Sequence, residues 1–282
     1  MRKIVTILAP VLCMWTMSMA AFAAEREGSW TMMPATEAGQ VHFTVIERRE
    51  RGTSHNESDW PVSAFQGLDL ATRARHDVKF AIARDAGRID CEGYLADGSG
   101  AGTFRFTPDP TFVRTMSDLG FGGIDDGEQF AMAVHDVSLD FARQMRSENL
   151  TGLDADKLIA FRIFDVSPRF IRDLRQEGLT ATDADNLVAF RIHGVSPALV
   201  REVRRAGIDV DEEGLVAFQI HGVSPQFIAE LEKLGYTNVD SDDLVAMKIH
   251  GVTPEFISDM KSRGLKDLSV DKLVALRIHG IN

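Results

Sequence analysis

Cysteine is scarce in this chain of 282 residues. Two are present, Cys13 and Cys91. Cys13 lies in an apolar N-terminal segment that reads as a leader, so the mature chain keeps one thiol and an internal disulfide is excluded. Positive charge is also short: 31 Lys and Arg face 42 Asp and Glu, a net charge of -11. The leader carries Arg2 and Lys3 and no acid, so its removal leaves -13. An acidic chain with scattered bases is a poor match for nucleic acid or anionic lipid. After the leader, no apolar run is long enough to cross a bilayer. Catalytic and cofactor motifs are missing too. There is no His-Glu-x-x-His, no phosphate loop and no dinucleotide fingerprint. Ser99 sits in Gly98-Ser99-Gly100-Ala101-Gly102, which has the composition of a hairpin turn and lacks the Gly-x-Ser-x-Gly spacing of a nucleophile elbow.

The leader itself is legible. Arg2 and Lys3 precede a mostly apolar stretch from Ile4 to Ala21, and Ala21-Phe22-Ala23 supplies small residues at the cleavage positions. Residues 1–23 therefore read as a Sec-type secretory signal of a periplasmic or secreted bacterial protein, an uncleaved anchor being the alternative. Leu12, where a lipobox needs a small residue, speaks against lipid attachment at Cys13.

What the chain has in quantity is repetition. Aligned on a terminal His-Gly, one unit recurs with its marker at His135, Phe164, His193, His221, His250 and His279. Six copies follow: 108–136, 137–165, 166–194, 195–222, 223–251 and 252–280. A fixed period of this size is the signature of a stacked repeat architecture. Each copy encodes two helices. The first opens on Ser167-Pro168, Ser196-Pro197, Ser224-Pro225 or Thr253-Pro254. There the hydroxyl can accept from a free N–H of the first turn, and proline at the next position loses no helical bond. It closes at Gly178, Gly207, Gly235 or Gly264, with Asn149 in the second copy, at a place that wants a left-handed residue. The second helix is capped by Asp154, Asp183, Asp211, Asp240 or Ser269 and ends on His-Gly. Its core, Leu-Val-Ala-x-Arg-Ile-His-Gly, is apolar on nearly every side, and the expectation is a helix buried all round by neighbouring hairpins. The fourth copy is one residue short between Gly207 and Asp211, within a loop.

Residues 24–107 differ. Val41, Phe43 and Val45 alternate with polar residues, as do Val78, Phe80 and Ile82. Asp85-Ala86-Gly87 and Asp97-Gly98-Ser99-Gly100 are turn signals, with strands near Arg88–Leu95 and Thr103–Thr107. Trp60 to Leu70 is ambiguous in pattern, a short helix being its one reading. The mixed run Glu47 to Arg51 reads as a solvated strand end. The predicted fold is α+β: an antiparallel domain of four to six strands, then an α-solenoid of six helical hairpins of 28–29 residues. The helices begin directly after the sheet, so the sheet is expected to cap their first layer.

The candidates for chemistry have simpler explanations. His193, His221, His250 and His279 occupy equivalent places in successive copies. Zinc needs its nitrogens about 2.0–2.1 Å from one ion, whereas successive layers lie about 8–10 Å apart. The Asp-x-Asp runs lack the glycine and the bidentate glutamate of a calcium loop, and helix capping accounts for them. No metal, cofactor or catalytic residue is assigned.

The phrase Leu-Val-Ala-Leu-Arg-Ile-His-Gly, followed elsewhere by Val-Ser/Thr-Pro-x-Phe-Ile, is carried by Leu187–Pro197, Leu215–Ile228, Leu244–Ile257 and Leu273–Gly280. It resembles a repeat of exported bacterial proteins of unassigned function. Similar repeats lie behind the membrane metallopeptidase domain of beta-lactam-sensor-like proteins. The peptidase's zinc motif and membrane helices are not in this sequence, so no catalytic residue carries over. The resemblance implies a sensing or partner-binding appendage of the cell envelope.

The functional expectation is a non-enzymatic protein that holds a protein or peptide. Its variable first-helix positions are the candidate contacts: Arg169, Gln226 and Glu255 at one place, Arg172, Arg201 and Ser258 at another. Two alternatives differ in class. One is an enzyme with a site in the β domain around His76, Asp90, Cys91 and Asp97. The other is a structural protein that self-associates through its last copy.

Overall fold

The computed structural model describes residues 26–49, 52–179 and 183–281. The leader, residues 1–23, lies outside the described residues. Among the described residues the chain is α+β, a six-stranded antiparallel sheet followed by twelve helices. The strands are β1 (Arg26–Pro34), β2 (Gln40–Arg49), β3 (Gly52–Pro61), β4 (His76–Arg84), β5 (Gly87–Ala96) and β6 (Ser99–Pro108), in the spatial order β3-β2-β1-β6-β5-β4. The β5–β6 hairpin turns at Asp97-Gly98, and both residues have positive φ. The expected helix near Trp60 shrinks to one 3-10 turn, Val62–Ala64.

Alternation puts one face of the sheet inside. Val45 stands opposite Trp30, Phe80 opposite Cys91, and Phe104 opposite Cys91 on the other side, so these residues share a face. Trp30 and Phe80 meet edge to face at 5.1 Å, as do Phe43 and Phe65. Gly93 makes room for the indole: a Cβ there would lie 2.8 Å from Trp30 Cζ2. The Trp30 Nε1–H donates to the carbonyls of Glu92 and Thr103, at 3.3 and 3.1 Å. The opposite face carries ion pairs such as Lys79–Glu92 at 3.4 Å and Arg105–Glu27 at 2.9 Å. Glu47, expected in a solvated strand end, is buried and bound by Arg26. Burial of a carboxylate is tolerated when a guanidinium meets it.

Two helices per copy follow: α1 (Phe112–Asp118) and α2 (Asp126–Val134), α3 (Leu139–Ser147) and α4 (Ala155–Ile163), α5 (Pro168–Gln176) and α6 (Ala184–His193), α7 (Pro197–Arg205) and α8 (Glu212–His221), α9 (Pro225–Lys233) and α10 (Ser241–Ile249), α11 (Pro254–Ser262) and α12 (Val270–Ile278). The caps are those the sequence encodes. Ser167, Ser196, Ser224 and Thr253 accept from the N–H three residues on, each ahead of an N-terminal proline. Asp154, Asp183, Asp211, Asp240 and Ser269 cap the second helices. Asn149 is left-handed at φ 51°, and Asp136 and Asp165 take the same conformation where later copies have glycine. Val195 N donates to Phe190 O at 2.8 Å, closing α6 in a Schellman turn.

Even-numbered helices touch the next even-numbered helix all the way from α2 to α12. Odd-numbered helices do likewise for α1–α3, α5–α7, α7–α9 and α9–α11. The sheet meets the first copy. The Phe130 ring of α2 stacks on Phe104 at 5.5 Å and tilts against Phe106 at 5.1 Å. Buried Gln129 donates its amide to the carbonyls of Ala86 and Asp109, at 2.8 and 2.9 Å. Leu139 N donates to the Asp85 carboxylate at 2.8 Å. These contacts join the sheet to the first copy and to the start of the second.

Candidate functional site

The second helices, expected to be buried on every side, keep one face in solvent. In α6, Leu187 and Phe190 are fully buried, Val188 and Ala189 are half-buried, and Ile192 and His193 are exposed. The same division recurs in the second, fourth and fifth copies, and in the last copy Leu276 and Ala275 are more exposed than their equivalents. Ile163, Ile192, Ile220, Ile249 and Ile278 are 50, 53, 55, 55 and 59 % exposed. Single exposed apolar residues are ordinary, but a recurring position in successive, contacting helices makes a column. In the first copy the position is Val134, which is buried. The exposure has a geometric reason. Each isoleucine lies seven residues after an exposed acid: Asp156, Asp185, Glu213, Asp242 and Asp271. Seven residues return to within about 20° of the same helix face. The isoleucine is therefore on the acid's side, and the acid is solvent-facing.

A cation precedes each isoleucine except Ile220, which follows Gln219, and it turns away from this face. Arg191 lies 4.8 Å from the Phe170 ring centroid, donates through Nε to Phe164 O at 3.0 Å, and pairs with Asp165. Arg162 does the same with the Phe141 ring at 5.3 Å, His135 O at 3.0 Å and Asp136 at 3.2 Å. These cations bind the C-terminal carbonyl of the preceding second helix, the end that favours positive charge. The exposed face is thus left with acids at the start of each helix, valine and alanine in the middle, and isoleucine and histidine at the end.

No protein-family model matches the chain, and no curated protein matches it.

The predicted contact residues sit on the first helices, and several are engaged within the array. Arg201 donates through Nε to Glu177 Oε1 at 2.9 Å. That bond first, and the nearby charge of Arg205 as well, hold Glu177 below the usual carboxylate range. Arg172 lies 3.5 Å from Glu148 Oε1. Ser258 Oγ donates to Pro254 O at 2.9 Å, within its own helix. Arg169 pairs with Asp173 one turn on, at 3.6 Å. Gln226 and Glu255 are exposed.

The four β-domain residues of the enzyme reading are not gathered. Cys91 is buried, and desolvation pushes its thiol far above the usual range. Asp90 is bound by Arg88 at 2.7 Å. His76 stands opposite Leu95, and its ring hydrogen-bonds with Ala74 O at 2.9 Å. Asp97 is in the turn beyond Ala96, with its N–H on Arg73 O at 2.8 Å. Along β5 the Cys91 and Asp97 positions are about 20 Å apart. Among the described residues no group of three or more His, Cys, Asp or Glu is placed to hold a metal ion, and no helix is long and apolar enough to cross a membrane.

The isoleucine column is what the sequence reading missed. The signal was the phase of each isoleucine relative to its acid, not its apolar character.

Proposed function

We propose that this is an exported, non-enzymatic repeat protein of the bacterial cell envelope, in which six hairpins form an α-solenoid that binds a protein or peptide partner. The observation that carries the reading is the column of five exposed isoleucines, one in each of five successive second helices. Apolar surface kept in register along an array is costly unless something covers it. The paired files of odd and even helices support the solenoid, since each hairpin contacts its chain neighbours. Export rests on the leader sequence, and a sensing role on the resemblance of the repeat.

The test is site-specific photo-crosslinking in the native envelope, with the probe at Ile220 and, as control, at exposed Glu230. A discrete protein adduct from Ile220 alone is expected. Adducts at background level from every second-helix position would overturn the reading.

One observation favours self-association as a second reading. Leu276 of α12 is half-buried, whereas its equivalents Phe161, Phe190, Phe218 and Met247 are fully buried. Sedimentation of a concentration-independent monomer would exclude it.

A further inference from the structure

We infer that the outer face of the second helices receives a basic amphipathic helix laid across the array, its apolar side on the isoleucine column and its Lys and Arg on the acidic row. This deepens the partner-binding reading above and rests on it.

The face has two parallel rows. Ile163, Ile192, Ile220, Ile249 and Ile278 form one. Asp156, Asp185, Glu213, Asp242 and Asp271, all exposed, form the other, two helical turns away on the same face. Between them the helices show valine or isoleucine beside a small alanine, as in Val188-Ala189, Val216-Ala217 and Val245-Ala246. The alanines keep the middle shallow, so a partner's side chains can reach it.

The acids are mostly unneutralised from within. Arg162, Arg191, Lys248 and Arg277 stand over aromatic rings of the first helices, at 5.3, 4.8, 4.7 and 4.9 Å. Lys157 reaches Asp185 at 2.6 Å. Beside the row, burial raises the Asp243 carboxyl, and the charges of Asp240, Asp271 of the next copy and Asp242 raise it further. An uncompensated acidic row beside an apolar one selects a partner that is basic on one side and apolar on the other. The same acids repel an anionic lipid surface.

Scale agrees with a helix. Five second helices spaced by about 8–10 Å span about 30–40 Å, the length of a helix of about 20–27 residues. At the sheet end the column runs into a cleft of about 540 Å³, lined by Ile163, Val134 and Trp60, with Glu57, Asp59 and Arg84 also on its wall. Asp136 on the same wall answers both Arg84 and Arg162, each at 3.2 Å, and His42 holds Asp59 at 2.9 Å, so Glu57 is the acid that the cleft adds at the column's end.

The probe is a synthetic peptide of about 22 residues with leucine and lysine at helical amphipathic spacing. It is titrated by fluorescence anisotropy against the full mature chain at physiological salt. Controls are a scrambled peptide of the same composition, a leucine–glutamate version, and neutral or anionic vesicles. The Leu/Lys helix should bind about tenfold tighter than the scramble. The triple variant Ile192→Ser, Ile220→Ser, Ile249→Ser should weaken it by about tenfold or more. The triple variant Asp185→Asn, Glu213→Gln, Asp242→Asn should weaken it by about threefold to tenfold and flatten its salt dependence. All six positions are exposed, and unchanged melting of both variants verifies that they fold. Equal binding of helix and scramble, preference for the acidic peptide, or vesicle binding that depends on the isoleucines would each overturn the inference. If the isoleucine variant loses the envelope crosslink while the acid variant keeps it and the Leu/Lys peptide fails, the partner reading stands and this one falls. If neither variant affects the crosslink, both fall.

Discussion

The guanidinium of Arg191 sits 4.8 Å from the ring centroid of Phe170, and the pair is a unit of assembly. One side chain covers the ring of its own hairpin's first helix and donates to Phe164 O at the end of the preceding hairpin's second helix. The cation–ring contact recurs as Arg162–Phe141, Lys248–Phe227 and Arg277–Phe256. A second set does the same for the first helices: Arg175 donates to Glu148 O at 2.7 Å, Arg204 to Gly178 O at 3.1 Å, and Lys261 to Leu234 O. The α5–α6 hairpin is thereby pinned to its predecessor at two helix C-termini.

Replacing Arg191 with Gln should destabilise the α5–α6 hairpin by about 1–2 kcal/mol, through the lost cation–π contact and the lost charged bond to Phe164 O. Phe170→Leu should remove part of the same energy. The double mutant should be about 0.5–1 kcal/mol less destabilised than the sum of the singles. Native-state hydrogen exchange at the α5 and α6 amides is the readout, because a repeat array can open locally. Additive effects would show that the ring and the cation act independently.

Gln129 is the polar pin of the sheet–helix junction. Its amide holds the carbonyls of Ala86 and Asp109. Gln129→Leu keeps the volume but removes the amide from both carbonyls, leaving Ala86 O with the Asp109 N–H alone, at a cost of about 0.5–1.5 kcal/mol. Phe130→Ala, which empties the space against Phe104 and Phe106, should cost about 3–5 kcal/mol. Both should lower the midpoint of chemical unfolding followed by Trp30 and Trp60 fluorescence.

His135 gives a pH dependence with a fixed sign. Burial first, and the charge of Arg162 second, hold its pKa below the usual imidazole range. The unfolded chain therefore binds the proton at higher pH than the folded one. Its contribution to stability is complete above about pH 6.5 and is lost as pH falls through the depressed folded value. The second copy places Phe164 at this position, so His135→Phe is tolerable in the fold. The variant should lose less melting temperature than the parent between pH 7 and 5. Parallel melting curves would remove the assignment.

Much of this architecture is readable in the chain because it is local. Ser-Pro starts, Asp caps and left-handed Gly or Asn stops act within a few residues, and Ser196, Asp240 and Asn149 behave as their types dictate. β3 was not legible. Its sequence Gly-Thr-Ser-His-Asn-Glu-Ser-Asp-Trp-Pro buries only Trp60, since an edge strand is held by its backbone ladder to β2 and needs no apolar alternation. Arg172 and Arg201 look free in sequence because their acids, Glu148 and Glu177, lie 24 residues earlier. Only stacking brings those pairs together. The isoleucines look buried when apolar residues are counted, and exposed when their phase against Asp185 or Glu213 is followed.

The fourth copy supplies the last prediction. It has Leu199 where three later or earlier copies carry Phe170, Phe227 and Phe256, and Gln219 where they carry Arg191, Lys248 and Arg277. Ring and cation are missing together, as expected if neither is useful alone. Leu199 is 8 % exposed, matching 8, 6 and 7 % for the three phenylalanines, so the site can accept a ring. Nothing lies within 4 Å of a Cβ built on Gly194, which leaves room for an arginine head beside the end of α6. Leu199→Phe alone and Gln219→Arg alone should each change stability by less than about 0.5 kcal/mol. Together they should stabilise the α7–α8 hairpin by about 1–2 kcal/mol, from a new cation–π contact and a new bond to a helix C-terminus. Slower hydrogen exchange in α7 and α8 for the double variant only is the expected result. A double variant no better than the singles would mean that the repeated pairing in the other copies fills space without binding the hairpins to one another.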